Sequence, residues 1–443
     1  MSQDTTYGRF GRRRLLKGTT ALGAAALAGC IGTGDPEGDD DEAETDEMAD
    51  EISGWGWDVA ARSMELTAEE YNDEHDASVE IEEFGQDAMK EDLQTRLASG
   101  SGTPEVSMLE MIDGPSYIDT GAVLDITDRI EEADVYDDFV SGVWESLTDG
   151  DDIYALPWDI GPTAVFYRTD VYDEHGLDAD AIETWDDFIE QGEQLPDDVY
   201  MVNLPENDLD GFWRFQFRQL EGEPFTEDGA VNIHSEASLQ VAQNIKDLHD
   251  AGIASNLEGW SSAWFGAYGD GDIASLPSAA WMEGTLRAEL PETEGDWGVY
   301  KIPAFEEGGA RASNWGGSSL MIPDQHESAE TSRAWDYIRW TTATEEMQLL
   351  MYDEYGLFPA LETTYDADIF GEELEFFGGQ AAREVFAEVA EELPSYRFTE
   401  DTPEVSEAIN DEFQRMLRDD QTPEEAVQAA AETVAGNTGR DLA

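Results

Sequence analysis

The chain of 443 residues holds one cysteine, Cys30, only four lysines (Lys17, Lys90, Lys246, Lys301) and five histidines. A lone cysteine excludes a disulfide framework and a thiolate zinc site. Basic side chains number 23 against 103 acidic ones, for a net charge of −80. That balance excludes a nucleic-acid partner, because affinity for duplex phosphates comes from Lys and Arg neutralising them. No phosphate-cradling Gly-x-x-x-x-Gly-Lys-Ser/Thr loop, His-Glu-x-x-His helix or Gly-x-Ser-x-Gly elbow occurs. Nothing therefore calls for a cofactor or a metal. His75, His175, His234, His249 and His326 are scattered through segments that read as surface, which suits solvation or capping better than ligation.

Acid excess with almost no lysine fits adaptation to molar salt, where the screening length falls to about 3 Å and self-repulsion becomes tolerable. Against such a background a single Asp or Glu carries little information. Tryptophans beside turns carry more, and there are 13 of them in a chain 40% apolar. This is enough to build one large two-lobed domain or two ordinary ones.

Residues 1–30 read as a targeting segment. Arg12-Arg13-Arg14-Leu15-Leu16-Lys17 is a twin-arginine n-region, and the apolar stretch Ala21 to Ala28 follows it. That stretch is far shorter than the roughly 20 residues a membrane span requires. Leu27-Ala28-Gly29-Cys30 resembles the lipobox of secreted lipoproteins, which implies lipidation at Cys30 and attachment to the outer face of the cell membrane. In Asp35 to Glu51, 11 of 17 residues are acidic, so residues 31–51 are expected to be an extended, disordered tether.

From Ile52 onward short apolar strands alternate with helices, predicting an α/β fold with a parallel or mixed sheet. Strands are expected over Ile52 to Trp57, Ser78 to Phe84 and Glu105 to Leu109, and helices over Met64 to His75 and Met89 to Ala98. Thr184 with Asp187, and Thr422 with Glu425, predict capping boxes. Gly161-Pro162 and Gly316-Gly317 punctuate strand-like runs as hinge crossings would.

Several stretches occur in one order from residue 52 to about 435: Trp55-Gly56-Trp57-Asp58, Leu97 to Val106, Ile153 to Asp159, Val165 to Val171, Thr184 to Phe188, Ala280-Trp281-Met282, Gly316 to Ser319 and Gly356 to Ala360. This ordered set resembles the extracellular solute-binding proteins of carbohydrate ABC transporters, the maltose-binding-like family, here of haloarchaeal type. Glu105 departs from it, standing where Asp is usual. The resemblance implies a two-lobed periplasmic-binding-protein-like (type II) fold, with residues 52–162 and 316–360 in one lobe, 163–315 and 361–435 in the other, and a tail at 436–443. It also implies a non-enzymatic, monomeric receptor that closes on a sugar or oligosaccharide and delivers it to the permease membrane subunits.

A sugar site needs flat aromatic faces for ring C–H groups and carboxylates or amides for hydroxyls. By resemblance the ligand-binding candidates are Trp57 and Asp58 after the first strand, Glu110 and Asp113 beyond the third, Trp158 and Asp159 before the first crossing, Trp213, Trp281, and Gly317 and Ser318 at the return crossing. Trp260, Trp264 and Tyr355 stand in reserve. Two other readings stay open. A glycoside hydrolase or lectin would use the same aromatics, the hydrolase adding two carboxyls about 5–9.5 Å apart. The same fold could instead take glycerol phosphate, a polyamine or a metal, a phosphate ester drawing on Arg168, Arg214, Arg287 or Arg311.

Overall fold

A computed structural model describes residues 48–394 and 396–443. The leader, Cys30 and the tether as far as Glu47 lie outside the described residues. Seven strands form the main sheet: β1 Glu51–Trp57, β2 Ser78–Phe84, β3 Val106–Glu110, β4 Ala155–Arg168, β5 Ser275–Ala279, β6 Trp297–Lys301 and β7 Asn314–Met321. Their order is β6-β4-β7-β3-β1-β2, with β5 also paired to β4. β1 runs parallel to β2 and β3, whereas β7 is antiparallel to both β3 and β4. The α/β expectation holds, with a mixed sheet.

Helix Asp58–Glu74 connects β1 to β2 and buries Met64, Ala68 and Tyr71, an i, i+4, i+7 stripe facing the sheet. Helix Gln86–Ser99 buries Met89, Leu93 and Leu97 in the same way and ends at Gly100 in the left-handed conformation. The first helix starts six residues before the expected Met64, because the chain turns straight out of β1 at Asp58, whose φ is +47°. β3 lies one residue later than expected. Glu105 is held back by Ser53, whose backbone N–H and hydroxyl both donate to Oε2, at 2.6 and 2.9 Å. Both expected capping boxes form.

β4 is the central strand, and its 14 residues are buried almost without a break. Its first half, up to Pro162, pairs with β7, and its second half lies between β5 and β6. Two hydrophobic cores flank it. One gathers Met64, Tyr71, Leu93, Leu109 and Trp144 but also Tyr268, Trp297 and Phe386. The other gathers Phe188, Trp213, Ile245, Phe413 and Ala430. Apolar packing thus runs on across the expected lobe boundaries instead of stopping at them. Each lysine among the described residues stands between two carboxylates: Lys90 between Glu110 and Asp113, Lys246 between Asp250 and Asp419, Lys301 between Glu388 and Glu392.

Candidate ligand-binding cleft

The C-terminal end of β3 is where an open sheet presents side chains to a crevice. Glu110 is registered beside Ser318 of β7, and Ser318 in turn beside Asp159 of β4, so three candidates form one row across the sheet. Lys90 reaches in from helix Gln86–Ser99, with Nζ 2.6 Å from Glu110 Oε2 and 2.8 Å from Asp113 Oδ2. Gln86 Nε2 donates to the same Glu110 oxygen at 2.9 Å. Burial disfavours the Lys90 charge, but the two carboxylates outweigh it and hold its pKa above the ordinary value.

Asp159 is 5% exposed, and Oδ1 accepts from the Ser318 N–H at 2.8 Å. Burial pushes its carboxyl up to about 7, opposed by that hydrogen bond. The register of β7 slips on both sides of Gly317–Ser318, and Asp159 pins the irregularity from the neighbouring strand. Gly317 has φ +108°, and a Cβ there would lie 3.1 Å from Met111 Sδ and 3.2 Å from the Asp159 carbonyl, so no other residue fits without strain. A Cβ on Gly161 would sit 1.9 Å from the Trp315 carbonyl, which shows how closely the two crossing strands approach.

Where β7 begins, a cavity of about 450 Å³ opens, lined among others by Met111, Arg218, Asn314, Gly316, Tyr365 and Tyr396. A smaller pocket shares Arg218, Asn314, Gly316 and Tyr396 with it and adds Glu110, Gly211, Arg214 and Trp315. Trp315 stacks on Phe215, with ring centroids 5.3 Å apart and planes at 18°, seated over the bare Cα of Gly211. Its carbonyl accepts from Trp281 Nε1 at 2.9 Å. Trp281 stacks in turn on Trp260, with centroids 5.9 Å apart and planes at 21°. Trp260 is 57% exposed and holds φ +62°. A large aromatic kept in the left-handed region and turned to solvent is costly on both counts.

Glu110, Asp113, Asp159, Gly317 and Ser318 are therefore brought together, and Trp281 reaches β7 through its indole N–H. Trp57 caps helix Asp58–Glu74 and is partly buried against the first core, with Asp58 exposed beside it. Two expectations are corrected. Trp158 is buried, its Nε1 donating to Met351 Sδ at 2.9 Å. Trp213 is buried too, bonded to Ser238 Oγ at 3.0 Å and stacked on Phe217. Both indoles serve the core, because their positions on β4 and on helix Asp210–Gln219 point inward. Of the reserve, Trp264 is core as well.

Of the four arginines considered for an anionic ligand, three are consumed by the protein. Arg168 pairs with Asp170, Arg287 with Glu283, and Arg311 donates to the carbonyls of Ile302, Lys301 and Ile182. Arg214 does line the cleft but pairs with Asp210. Arg218, one turn on, was not foreseen. Its Nε donates to the Pro394 carbonyl at 2.9 Å, and it has no carboxylate partner among the described residues. Burial lowers its pKa to about 10. Trp315, Asn314 and Tyr396 were missed too. The sequence signal for Trp315 was present in Trp315-Gly316-Gly317, an aromatic next to paired glycines.

A family model described as bacterial extracellular solute-binding protein matches residues 67–377. An arabinooligosaccharide-binding protein of Halalkalibacterium halodurans is 27% identical over 404 residues, spanning 88% of this chain and 86% of that protein. A lactose-binding protein of Rhizobium radiobacter is 28% identical over 404 residues, covering 88% and 93%. Among solved structures, an ABC transporter associated binding protein of B. animalis subsp. lactis in complex with beta-1,6-galactobiose superposes with TM-score 0.77 at 28% identity, covering 89% of this chain and 99% of that one.

Proposed function

The chain belongs to the bacterial extracellular solute-binding protein family, and from that premise we propose that it captures a sugar or short oligosaccharide and hands it to an ABC permease. The observation that carries the sugar reading is the Trp260–Trp281 ledge, tied to the hinge strand by the Trp281–Trp315 hydrogen bond. Aromatic planes receive the apolar faces of sugar rings, and the Glu110–Lys90–Asp113 group and Asn314 supply hydroxyl partners. Relatives that bind arabino-oligosaccharide, lactose and galactobiose support the same class. No hydrolysis is required. The one acid in the sheet row with a raised pKa, Asp159, is buried and bonded to a backbone N–H, not poised at a scissile bond. Lobe closure is a population shift driven by ligand contacts made only in the closed state. Tethering through a lipid on Cys30, export by the twin-arginine route and a monomeric state complete the proposal.

One observation favours a narrower second reading. Although Glu145 acts on it from a distance, Arg218 lines the cleft and forms no salt bridge among the described residues, which suits a saccharide bearing an anionic substituent. Tryptophan fluorescence of the full chain in molar KCl, titrated with neutral arabino-, galacto- and gluco-oligosaccharides and with uronates, tests both. A saturable response to one class, with the sugar recovered intact, is expected. Trp281→Ala should weaken it by at least about 1 kcal/mol. A cleaved sugar, or no response to any saccharide, overturns the proposal.

A further inference from the structure

At the N-terminal end of β3, away from Glu110, three side chains meet that the cleft does not use: Glu105, His326 and Glu330. His326 Nε2 lies 2.8 Å from the Pro104 carbonyl and 3.1 Å from Thr103 Oγ1. A carbonyl can only accept, so Nε2 carries the proton, and in the neutral ring Nδ1 is a bare lone pair. That Nδ1 lies 3.5 Å from Glu105 Oε1 and 3.7 Å from Glu330 Oε2. Both separations are too long for a hydrogen bond, and Nδ1 has no hydrogen-bond partner among the described residues. The imidazole is 9% exposed and aimed into the group.

Three acceptor atoms within 4.8 Å of one another repel unless a cation stands between them. With metal–ligand legs of about 2.1 Å, the Nδ1–carboxylate separations of 3.5 and 3.7 Å are short enough for one ion to reach the ring nitrogen and either oxygen. The surroundings are those of a prepared ligand set. Ser53 holds Glu105 through Oε2 and leaves Oε1 to the group. The Pro104 carbonyl fixes the ring and its tautomer. Glu330 is steadied by the Glu327 N–H at 3.1 Å in a capping box.

We infer that Glu105, His326 and Glu330 bind a divalent transition-metal cation, Zn²⁺ by ligand type. The ion joins the start of β3 and the loop after β7 to helix Ser328–Thr342, as a staple independent of the sugar cleft. The competing account is a protonated His326 bridging the same two carboxylates with no metal.

The test is calorimetry and thermal melting of the chelator-stripped full chain near pH 7.5, in molar KCl with excess MgCl₂ to occupy oxygen-only surface sites, titrated with ZnCl₂. One-to-one binding with a raised melting temperature is expected. Glu330→Gln keeps the helix cap and should weaken Zn²⁺ affinity at least tenfold, as should His326→Gln, with the sugar response unchanged. Absence of saturable Zn²⁺ binding, or binding unchanged in both variants, overturns the inference. So does a melting temperature that ignores Zn²⁺ and rises only on acidification through the histidine range.

Discussion

Asp159 carries its charge where charge is expensive, and this gives the residue scale a sharp pH signature. Its folded pKa of about 7 stands above the ordinary carboxyl value of 3.8. Below about 3.8 both folded and unfolded chains hold the proton, and the carboxyl costs nothing. As pH rises from there through about 7 the unfolded chain releases its proton first, so the folded state loses stability across that window. Asp159→Asn keeps an acceptor for the Ser318 N–H and removes the titration. Its melts should exceed those of the wild type above pH 7, by on the order of 1–3 kcal/mol, and converge with them near pH 4. A difference that stays constant with pH would refute the account. Which tryptophan meets the ligand is also decided at this scale, and the sequence does not say. Trp158 and Trp281 each follow a small or apolar run, yet one indole turns into the core and the other to the Trp315 carbonyl of β7. Face is set by pairing register, which only the folded sheet supplies.

Elements were more legible than their ends. Apolar spacing placed the helices after β1 and β2, and the Thr-x-x-Asp and Thr-x-x-Glu patterns placed two helix starts, because these signals are local. The link between helix Met282–Glu289 and helix Ala382–Ala390 was illegible, since it joins residues 100 apart. There Arg383 and Glu283 form an ion pair of 2.8 Å with both side chains 1% exposed. Burial opposes the Arg383 charge, but the Glu283 carboxylate prevails and raises its pKa. Glu283→Gln strands a buried guanidinium, with the exposed Asp353 carboxylate at 3.2 Å and the Tyr352 and Asp353 carbonyls in partial compensation. Denaturant unfolding in molar KCl should register a loss of about 3 kcal/mol. A loss under about 1 kcal/mol would mean that the pair is wetter than its burial indicates.

For the whole molecule, order of motifs along the chain disclosed the fold, whereas the course of the cleft depends on crossings that bring residues 110, 159, 214 and 315 into one place. Net charge acts at this scale too. At about 0.1 M salt the screening length of about 10 Å lets the 103 acids act on one another, and near 1 M it shrinks to about 3 Å. The melting temperature should therefore climb by at least several degrees from 0.1 to 2 M KCl. A flat profile would separate the acidity from salt adaptation.

The same scarcity of lysine decides how the protein can be handled on the bench. Every amine among the described side chains stands between two acids, and at Lys90 and Lys246 those acids raise the ammonium pKa, which makes the nitrogen a poorer nucleophile toward activated esters. Coupling to a sensor surface through these amines would be slow. Any success at Lys90 would turn a cation into a neutral amide and leave Glu110, which lines the smaller pocket, facing Asp113 without a cation between them. An immobilised sample could thus lose its ligand response through the linkage chemistry alone, while a carboxyl-directed coupling would have the abundant surface acids to choose from.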